Sequence, residues 1–182
     1  MSELSQIIRI PVSKDFYQIA ENFIQGVNIA NRGVFDGDKR KQLVGMIGQI
    51  TFYHFVFGKL PVLSTGFDGG IDLTYKNHTI DVKTMERKVF VRREYVNNFI
   101  ALQKNFDCDV LMFLSYNSKA SEFGTIEICG WIYKTEIDEK ANFYPKGTDR
   151  KRSDGTIFEL IEDLYEIPIE KLNPFKNETR SN

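Results

Sequence analysis

The segment Asp109–Tyr116, DVLMFLSY, is almost continuously apolar. A strand with one face in water alternates apolar and polar residues, whereas this run predicts a strand that is covered on both faces. A second apolar run, Thr125–Tyr133, predicts another strand of the same kind. The two runs place a β-sheet at the centre of the fold, with other elements packed against it.

Three segments have the apolar spacing of helices. Ser13 can cap a helix over residues 14–31, a second helix runs from near Asp38 to Gly58, and a third covers Glu94–Phe106. Further short strands are predicted at Val62–Gly66, Ile71–Tyr75 and His78–Met85. The predicted fold class is therefore α/β, a central mixed β-sheet flanked by helices.

The length of 182 residues predicts one domain, over residues 1–172, with its core at about 38–134. Residues 173–182, NPFKNETRSN, are predicted to form a flexible tail. The net charge of −1 gives the chain no overall positive field. Any contact with nucleic acid must then come from local clusters of basic residues.

Several features predict a cytoplasmic protein. The N-terminus lacks the charged start and apolar stretch of a secretion signal. Residues 42–58, QLVGMIGQITFYHFVFG, carry no Asp, Glu, Lys or Arg, but they fall short of the ~20 residues of a membrane span and indicate a buried helix. Cys108 and Cys129 each lie in an apolar run without a CxxC pattern, which predicts buried thiols in a reducing compartment.

The stretch Phe67–Thr84, FDGGIDLTYKNHTIDVKT, predicts a hairpin with one charged face. Alternation with a period of two sends apolar and charged residues to opposite faces. The apolar set is Ile71, Leu73, Ile80 and Val82. The charged set is Asp72, Asp81 and Lys83.

The register of the hairpin determines which charges meet. A turn at Lys76-Asn77 places Asp72 opposite Asp81, and a turn at Asn77-His78 places Asp72 opposite Lys83. Two carboxylates ~5 Å apart repel by roughly 3 kcal/mol at an effective dielectric near 20. On this hypothesis, Asp81→Ala leaves folding intact or slightly improved, because the repulsion is removed. A surface salt bridge with Lys83 is the other explanation.

Asp72 followed by Asp81-Val82-Lys83 resembles the PD-(D/E)xK nuclease superfamily. The resemblance covers roughly Gly45 to Tyr133, and Ile71 stands where the family often has proline. It implies a restriction-endonuclease-like core. It also implies a nuclease that hydrolyses phosphodiester bonds, most readily in DNA.

The resemblance further implies roles for individual residues. Asp72, Asp81 and the carbonyl of Val82 would bind Mg²⁺, for which Mn²⁺ can substitute, and Lys83 would lie beside the attacking water. Oxygen ligands suit this ion, which lowers the pKa of a bound water and polarises the phosphate. Lysine can stabilise charge that develops on the phosphate.

Two further polar residues have open alternatives. Gln49 follows Gly48, as a glutamate of the preceding helix commonly follows a glycine in this superfamily. That position implies an outer ligand or a water-positioning group with a catalytic role, and a buried amide bonded to backbone is the alternative. Asp68 is an additional ligand or, more simply, a turn residue before two glycines.

Two basic clusters fit contacts to the nucleic-acid backbone, which are independent of sequence and sensitive to salt. The first cluster is Arg87, Lys88, Arg92 and Arg93, and the second is Lys146, Arg150, Lys151 and Arg152. Solvated charged faces are the alternative. The partner is DNA, with RNA also compatible, and a homodimer could cut both strands. The alternative function is a non-catalytic module that binds nucleic acid or protein on a nuclease-like α/β fold.

Overall fold

The computed structural model describes residues 7–26, 38–64, 70–151 and 155–176. Within them, a five-stranded mixed sheet carries two helices on one face. A three-stranded antiparallel sheet covers part of the opposite face. The protein is thus a mixed α/β fold, as the sequence predicts, but its second face is covered mainly by strands and loops instead of long helices.

The described strands are β1 Ile8–Pro11, β2 Leu73–Tyr75, β3 His78–Arg87, β4 Val96–Ile100, β5 Val110–Asn117, β6 Thr125–Tyr133, β7 Asn142–Tyr144, β8 Asp149–Lys151, β9 Ile157–Glu159 and β10 Leu164–Pro168. The described α-helices are α1 Lys14–Gly26, α2 Lys39–Phe57 and α3 Ile137–Lys140. Short 3₁₀ helices cover Ala101–Asn105, Lys134–Glu136 and Ile169–Lys171.

The main sheet has the strand order β1-β6-β5-β3-β2. Strands β3 and β5 are parallel, and the other pairs are antiparallel. Every residue of β5 is buried, which confirms the predicted central strand. Strand β6 matches its predicted bounds, Thr125–Tyr133. The edge strand β1, which pairs with β6, was missed because four residues at the start of the chain carry little periodic signal.

Capping groups fix both helices close to the predicted starts. The Ser13 hydroxyl accepts a bond from the Phe16 amide at 3.2 Å, and the Asp38 carboxylate accepts one from the Lys41 amide at 2.8 Å. Gly58 ends α2 in the left-handed conformation, with φ 68°. The predicted helix over 14–31 is confirmed to Gly26, and the remainder lies outside the described residues. No helix within the described ranges combines the length and apolarity that crossing a membrane requires.

Helix α2 packs closely on β3 at Gly48. A Cβ atom built on Gly48 would overlap the Thr84 hydroxyl and lie 2.9 Å from Thr84 Cβ. The helix therefore approaches the strand to a distance that only glycine permits. This contact joins α2 to the face of β3 that carries Ile80 and Val82, both part of the larger hydrophobic cluster.

The predicted helix over Glu94–Phe106 is wrong. Residues 96–100 form β4, which pairs with β10, and a 3₁₀ helix follows. Asn97 and Phe99 are buried while Asn98 between them is exposed, so the segment has the two-residue period of a strand. Phe99 stacks on Tyr165 of β10 with ring centroids 5.4 Å apart. The pairing of β4 with the distant strand β10 outweighs the local helical spacing. The sequence pattern did not predict this pairing.

Two other segments differ from their predictions. Residues 62–64 are not a strand, and Val62 is 97% exposed, while the rest of the predicted strand lies outside the described residues. Residues 173–175, assigned to a flexible tail, are packed on the domain. Asn173 and Trp131 exchange backbone hydrogen bonds of 2.8 and 2.9 Å, and Phe175 contacts Phe52 with ring centroids 5.3 Å apart.

Gly48→Ala should destabilise the protein by about 1–3 kcal/mol, because the new methyl group forces α2 away from β3. Gly45→Ala is the matched control, since a Cβ at Gly45 would meet nothing within 4 Å. Alanine there should be neutral or stabilise by up to ~1 kcal/mol. Urea unfolding of both variants measures the difference, and equal stability would contradict the close packing at Gly48.

Candidate active site

A two-residue turn sets the register of the β2–β3 hairpin. Lys76 and Asn77 have positive φ angles of 49° and 65°, the conformation of a tight hairpin turn that matches strand twist. Leu73 is paired with Ile80 and Tyr75 with His78. Of the two predicted registers, the structure has the one with its turn at Lys76-Asn77.

The hairpin becomes irregular at Asp72. The Asp72 amide donates to the Ile80 carbonyl at 2.9 Å, although Leu73 is the register partner of Ile80. Two consecutive residues thus face one residue of β3, which is the arrangement of a β-bulge. The alternation slips by one residue, so Ile71 packs with the second hydrophobic cluster while Leu73 belongs to the first. The prediction that Ile71 and Leu73 share a face is therefore wrong.

The bulge brings the Asp72 carboxylate to the edge of β3. Its Oδ2 atom accepts a hydrogen bond from the Val82 amide at 2.6 Å. The amide and carbonyl of one strand residue point to the same side of the strand, so the Val82 carbonyl is also directed to the side of β3 on which Asp72 lies. Two of the three oxygen donors implied by the resemblance are thereby brought to one edge.

Asp81 and Lys83 form an ion pair inside the protein. Lys83 Nζ lies 2.5 Å from Asp81 Oδ2, and Asp81 is only 3% exposed. The Lys83 side chain is 16% exposed, and its ammonium lies 5.7 Å from the centre of the Phe106 ring. Both residues project from the face of β3 opposite α2. The charged face predicted for the hairpin is thus an interior face.

The burial of this pair changes its expected energetics. Moving two charges out of water is costly, and removing one partner leaves the other charge buried without compensation. Lys83 therefore stabilises the buried Asp81 carboxylate. The sequence-based prediction considered repulsion between Asp72 and Asp81, whereas the structure places a cation 2.5 Å from the Asp81 carboxylate.

Cys108 belongs to this site, although its spacing in the sequence gave no signal. Burial and, to a smaller extent, the Asp81 carboxylate raise the pKa of the thiol to about 11, although Lys134 and Lys83 act in the opposite direction. The thiol is therefore neutral at neutral pH. Cys108 comes just before β5, and β5 runs parallel to β3, which carries Asp81 and Lys83. Only this pairing of the two strands indicates that the thiol lies near the ion pair.

Gln49 is half-buried on α2, directly after the glycine that contacts Thr84. Helix α2 covers the face of β3 that carries Val82 and Thr84, whereas Asp81 and Lys83 project from the other face. The structure therefore does not join Gln49 to the ion pair. A role for its amide in positioning water at the β3 edge stays a prediction.

Two of the predicted phosphate-binding arginines are engaged within the protein. Arg87 donates to the Val96 carbonyl at 2.6 Å and to Asn97 Oδ1 at 3.1 Å, and burial lowers its pKa. Arg150 pairs with Glu166 at 2.5 Å and lies over the Tyr144 ring. Arg87 thus joins β3 to β4, and the Arg150 side chain is 30% exposed beside Glu166.

The remaining predicted basic residues are on the surface. Exposed side chains are those of Lys88, Arg92, Arg93, Lys146 and Lys151. Arg92 forms a long ion pair with Glu94, with their charged atoms 3.8 Å apart. Arg152 and Asp68 lie outside the described residues.

The oxygen donors at the hairpin are of the chemical type that binds a small divalent cation. Mg²⁺ is commonly held by one or two carboxylates, with waters and substrate oxygens completing the octahedron. Asp72, Asp81 and the Val82 carbonyl are hard oxygen donors of this type. Across the described part of the chain, no cluster of three or more His, Cys, Asp or Glu side chains could hold a metal ion.

No protein-family model matches this sequence, and neither a curated protein nor a solved structure matches the chain.

Asp81→Ala should destabilise the protein by about 3–5 kcal/mol, because it leaves the Lys83 ammonium in the interior without its carboxylate. The double variant Asp81→Leu/Lys83→Met should recover much of this loss. Asp138→Ala is the control, since it removes the exposed ion pair of Asp138 with Lys104 and should hardly change stability. Denaturant unfolding gives all three values, and a fully stable Asp81→Ala would contradict the buried pair.

Both cysteines should resist alkylation in the native protein. Burial raises the pKa of the Cys108 and Cys129 thiols from 9.0 to about 11. At about pH 8, roughly one thiol in a thousand is then ionised. Iodoacetamide labelling followed by mass spectrometry should show slow modification, which becomes fast in urea. Because the folded thiols hold their protons more tightly, stability should fall as pH rises from 9.0 towards about 11.

Proposed function

We propose that this protein is a metal-dependent nuclease that hydrolyses phosphodiester bonds, with DNA as the substrate. One observation carries the proposal. The Asp72 carboxylate is fixed at the Val82 amide, between the two residues of the buried Asp81–Lys83 pair. Two carboxylates and a lysine thereby meet around one strand residue, the combination that metal-assisted phosphoryl transfer uses.

Asp72, Asp81 and the Val82 carbonyl are the groups that would hold Mg²⁺ or Mn²⁺. The bound ion supplies Lewis acidity and lowers the pKa of a coordinated water. The backbone hydrogen bond to Asp72 orients this carboxylate before any ligand arrives. Such preorganisation lowers the energy needed to rearrange the site during reaction.

Lys83 would act on the substrate. Its Nζ atom carries three hydrogen-bond donors, which can orient a water or a phosphate oxygen. Its surroundings are the Asp81 carboxylate and the Phe106 ring, so the ammonium lies in a region of low dielectric where its field is strong. It would thus stabilise the negative charge that develops on the phosphate.

Exposed basic residues support a nucleic-acid substrate. Lys88, Arg92 and Arg93 follow β3 directly, and Lys146 and Lys151 form a second exposed group. Contacts from such residues to phosphates do not depend on base sequence. We also propose a cytoplasmic location, which suits the two free, buried thiols. A homodimer would allow both strands of a duplex to be cut.

The second candidate function is a non-catalytic module that binds nucleic acid or protein on the same α/β fold. The burial of Asp81, at 3% exposure, favours this candidate, because a structural ion pair also explains it. The two candidates differ in their response to divalent cations.

Cleavage of linear, supercoiled and single-stranded DNA tests the nuclease proposal. Activity should require Mg²⁺ or Mn²⁺, disappear in EDTA, and fall by about 100-fold or more in Lys83→Ala and Asp72→Asn. Lys104→Ala and Asp138→Asn are controls at an ion pair that contains no residue of the hairpin, and they should cleave normally. Activity that survives EDTA or Lys83→Ala would contradict the mechanism.

A second measurement detects the metal without relying on activity. Mn²⁺ should raise the melting temperature of the native protein, since a ligand that binds only the folded state stabilises it. Asp72→Asn should abolish this shift, and Asp138→Asn should retain it. Absence of any shift in the native protein would favour the non-catalytic candidate.

A further inference from the structure

A groove lies at the end of β3 and β5, away from the hairpin turn. It has a volume of about 550 Å³ and is lined by Arg9, Asn117, Lys119 and residues 88–92. Its lining residues come from β1, from the segment that follows β3 and from the end of β5 with the segment that follows it. Since β3 and β5 are parallel, this is the edge of the sheet to which both carboxyl ends point, where ligands commonly bind in open α/β sheets.

Glu127 holds two of the residues that line this groove. The carboxylate is fully buried, accepts a bond from the Val91 amide at 2.9 Å, and pairs with Arg9 Nε at 3.0 Å. One buried side chain on β6 thus holds both walls in place. The Arg9 side chain and the Val91 backbone are thereby fixed relative to each other.

The groove is rich in basic residues. Four of its lining residues are cations, namely Arg9, Lys88, Arg92 and Lys119, and none of the described lining residues is acidic. Arg9 pairs with the buried Glu127, and Arg92 lies 3.8 Å from the exposed Glu94, while the neighbouring Glu86 pairs with Arg40, so Lys88 and Lys119 contribute most of the positive charge. The cations on the rim therefore attract an anionic ligand.

An aromatic ring lies among these cations. Phe90 is 48% exposed, and the Arg9 guanidinium lies 4.7 Å from the centre of its ring. An exposed ring beside phosphate-binding cations is the arrangement on which unpaired bases stack in proteins that bind single strands. A rigid duplex cannot present its base faces to such a ring, whereas a single strand can.

From the groove we infer a binding site for a single-stranded segment of nucleic acid. Phosphates contact Lys88, Arg92 and Lys119, and one base stacks on Phe90. The inference goes beyond the proposed function, because the groove needs neither the metal nor the Asp81–Lys83 pair. A binding protein without catalysis would use it equally well.

Fluorescence anisotropy with a labelled oligonucleotide of about 12 nucleotides, in EDTA, tests this site. Phe90→Ala should weaken binding by about 5- to 150-fold, the range of one lost base stack, and Phe90→Tyr should bind as the native protein does. Lys88→Ala/Lys119→Ala should flatten the dependence of log K on log salt by ~1.4, since each lost contact to a single strand removes ~0.7.

The control is Lys59→Ala/Lys176→Ala, which removes two exposed lysines outside the groove and should leave affinity nearly unchanged. Circular dichroism confirms that every variant is folded. The inference is overturned if the groove variants bind like the native protein, or if the control weakens binding as much as they do. An affinity for duplex DNA or for anionic lipid vesicles equal to that for the single-stranded oligonucleotide would also overturn it.

The design separates this site from the nuclease proposal. Because the anisotropy is measured in EDTA, binding in the groove is observed without the metal that cleavage requires. Loss of binding in the groove variants, together with no cleavage by the native protein, would support the groove and reject the nuclease. Metal-dependent cleavage by the native protein, together with unchanged binding in the groove variants, would support the nuclease and reject the groove.

Discussion

The Asp81–Lys83 ion pair is the interaction on which the candidate site and the packing around it depend. The two charged atoms lie 2.5 Å apart on a face of β3 that other elements cover. A charge pair in such a place is retained against a desolvation cost, and apolar residues of similar volume would often be at least as stable. The pair is therefore more informative about function than an exposed salt bridge would be, because stability alone gives little reason for it.

The β-bulge at Asp72 adds a second carboxylate to the candidate site that contains the Asp81–Lys83 pair. A regular hairpin would leave the Asp72 side chain on a sheet face, whereas the bulge turns the carboxylate to the Val82 amide in the plane of the strands. Bulges often re-aim a side chain next to a functional site. The same slip sends Ile71 to the second cluster, so one irregularity both positions a carboxylate and fills the interior beside it.

The sequence predicted the elements whose signals are local. Strands β5 and β6 are long apolar runs, helix α2 has an acidic cap and a terminal glycine, and the tight turn at Lys76-Asn77 was one of two alternatives considered. It failed where distant pairing decides the outcome. Val96 to Ile100 has helical spacing but pairs with β10, and the bulge at Asp72 needs the Ile80 carbonyl as its partner. The burial of Asp81 and the place of Cys108 follow from these same distant contacts.

Strand β3 shows why the second face of the sheet is closed by strands and loops. Its first face carries apolar residues against α2, but its second face carries Asp81, Lys83 and Arg87. Arg87 donates to the Val96 carbonyl and to Asn97 Oδ1 of β4, so the covering strand supplies a backbone acceptor that a helix, with its backbone groups bonded internally, could not offer. Asp81 and Lys83, in contrast, pair with each other within β3. A polar interior face, closed in this way, leaves the Lys83 side chain only 16% exposed, whereas the basic groove at the far end of the same strand is open to solvent.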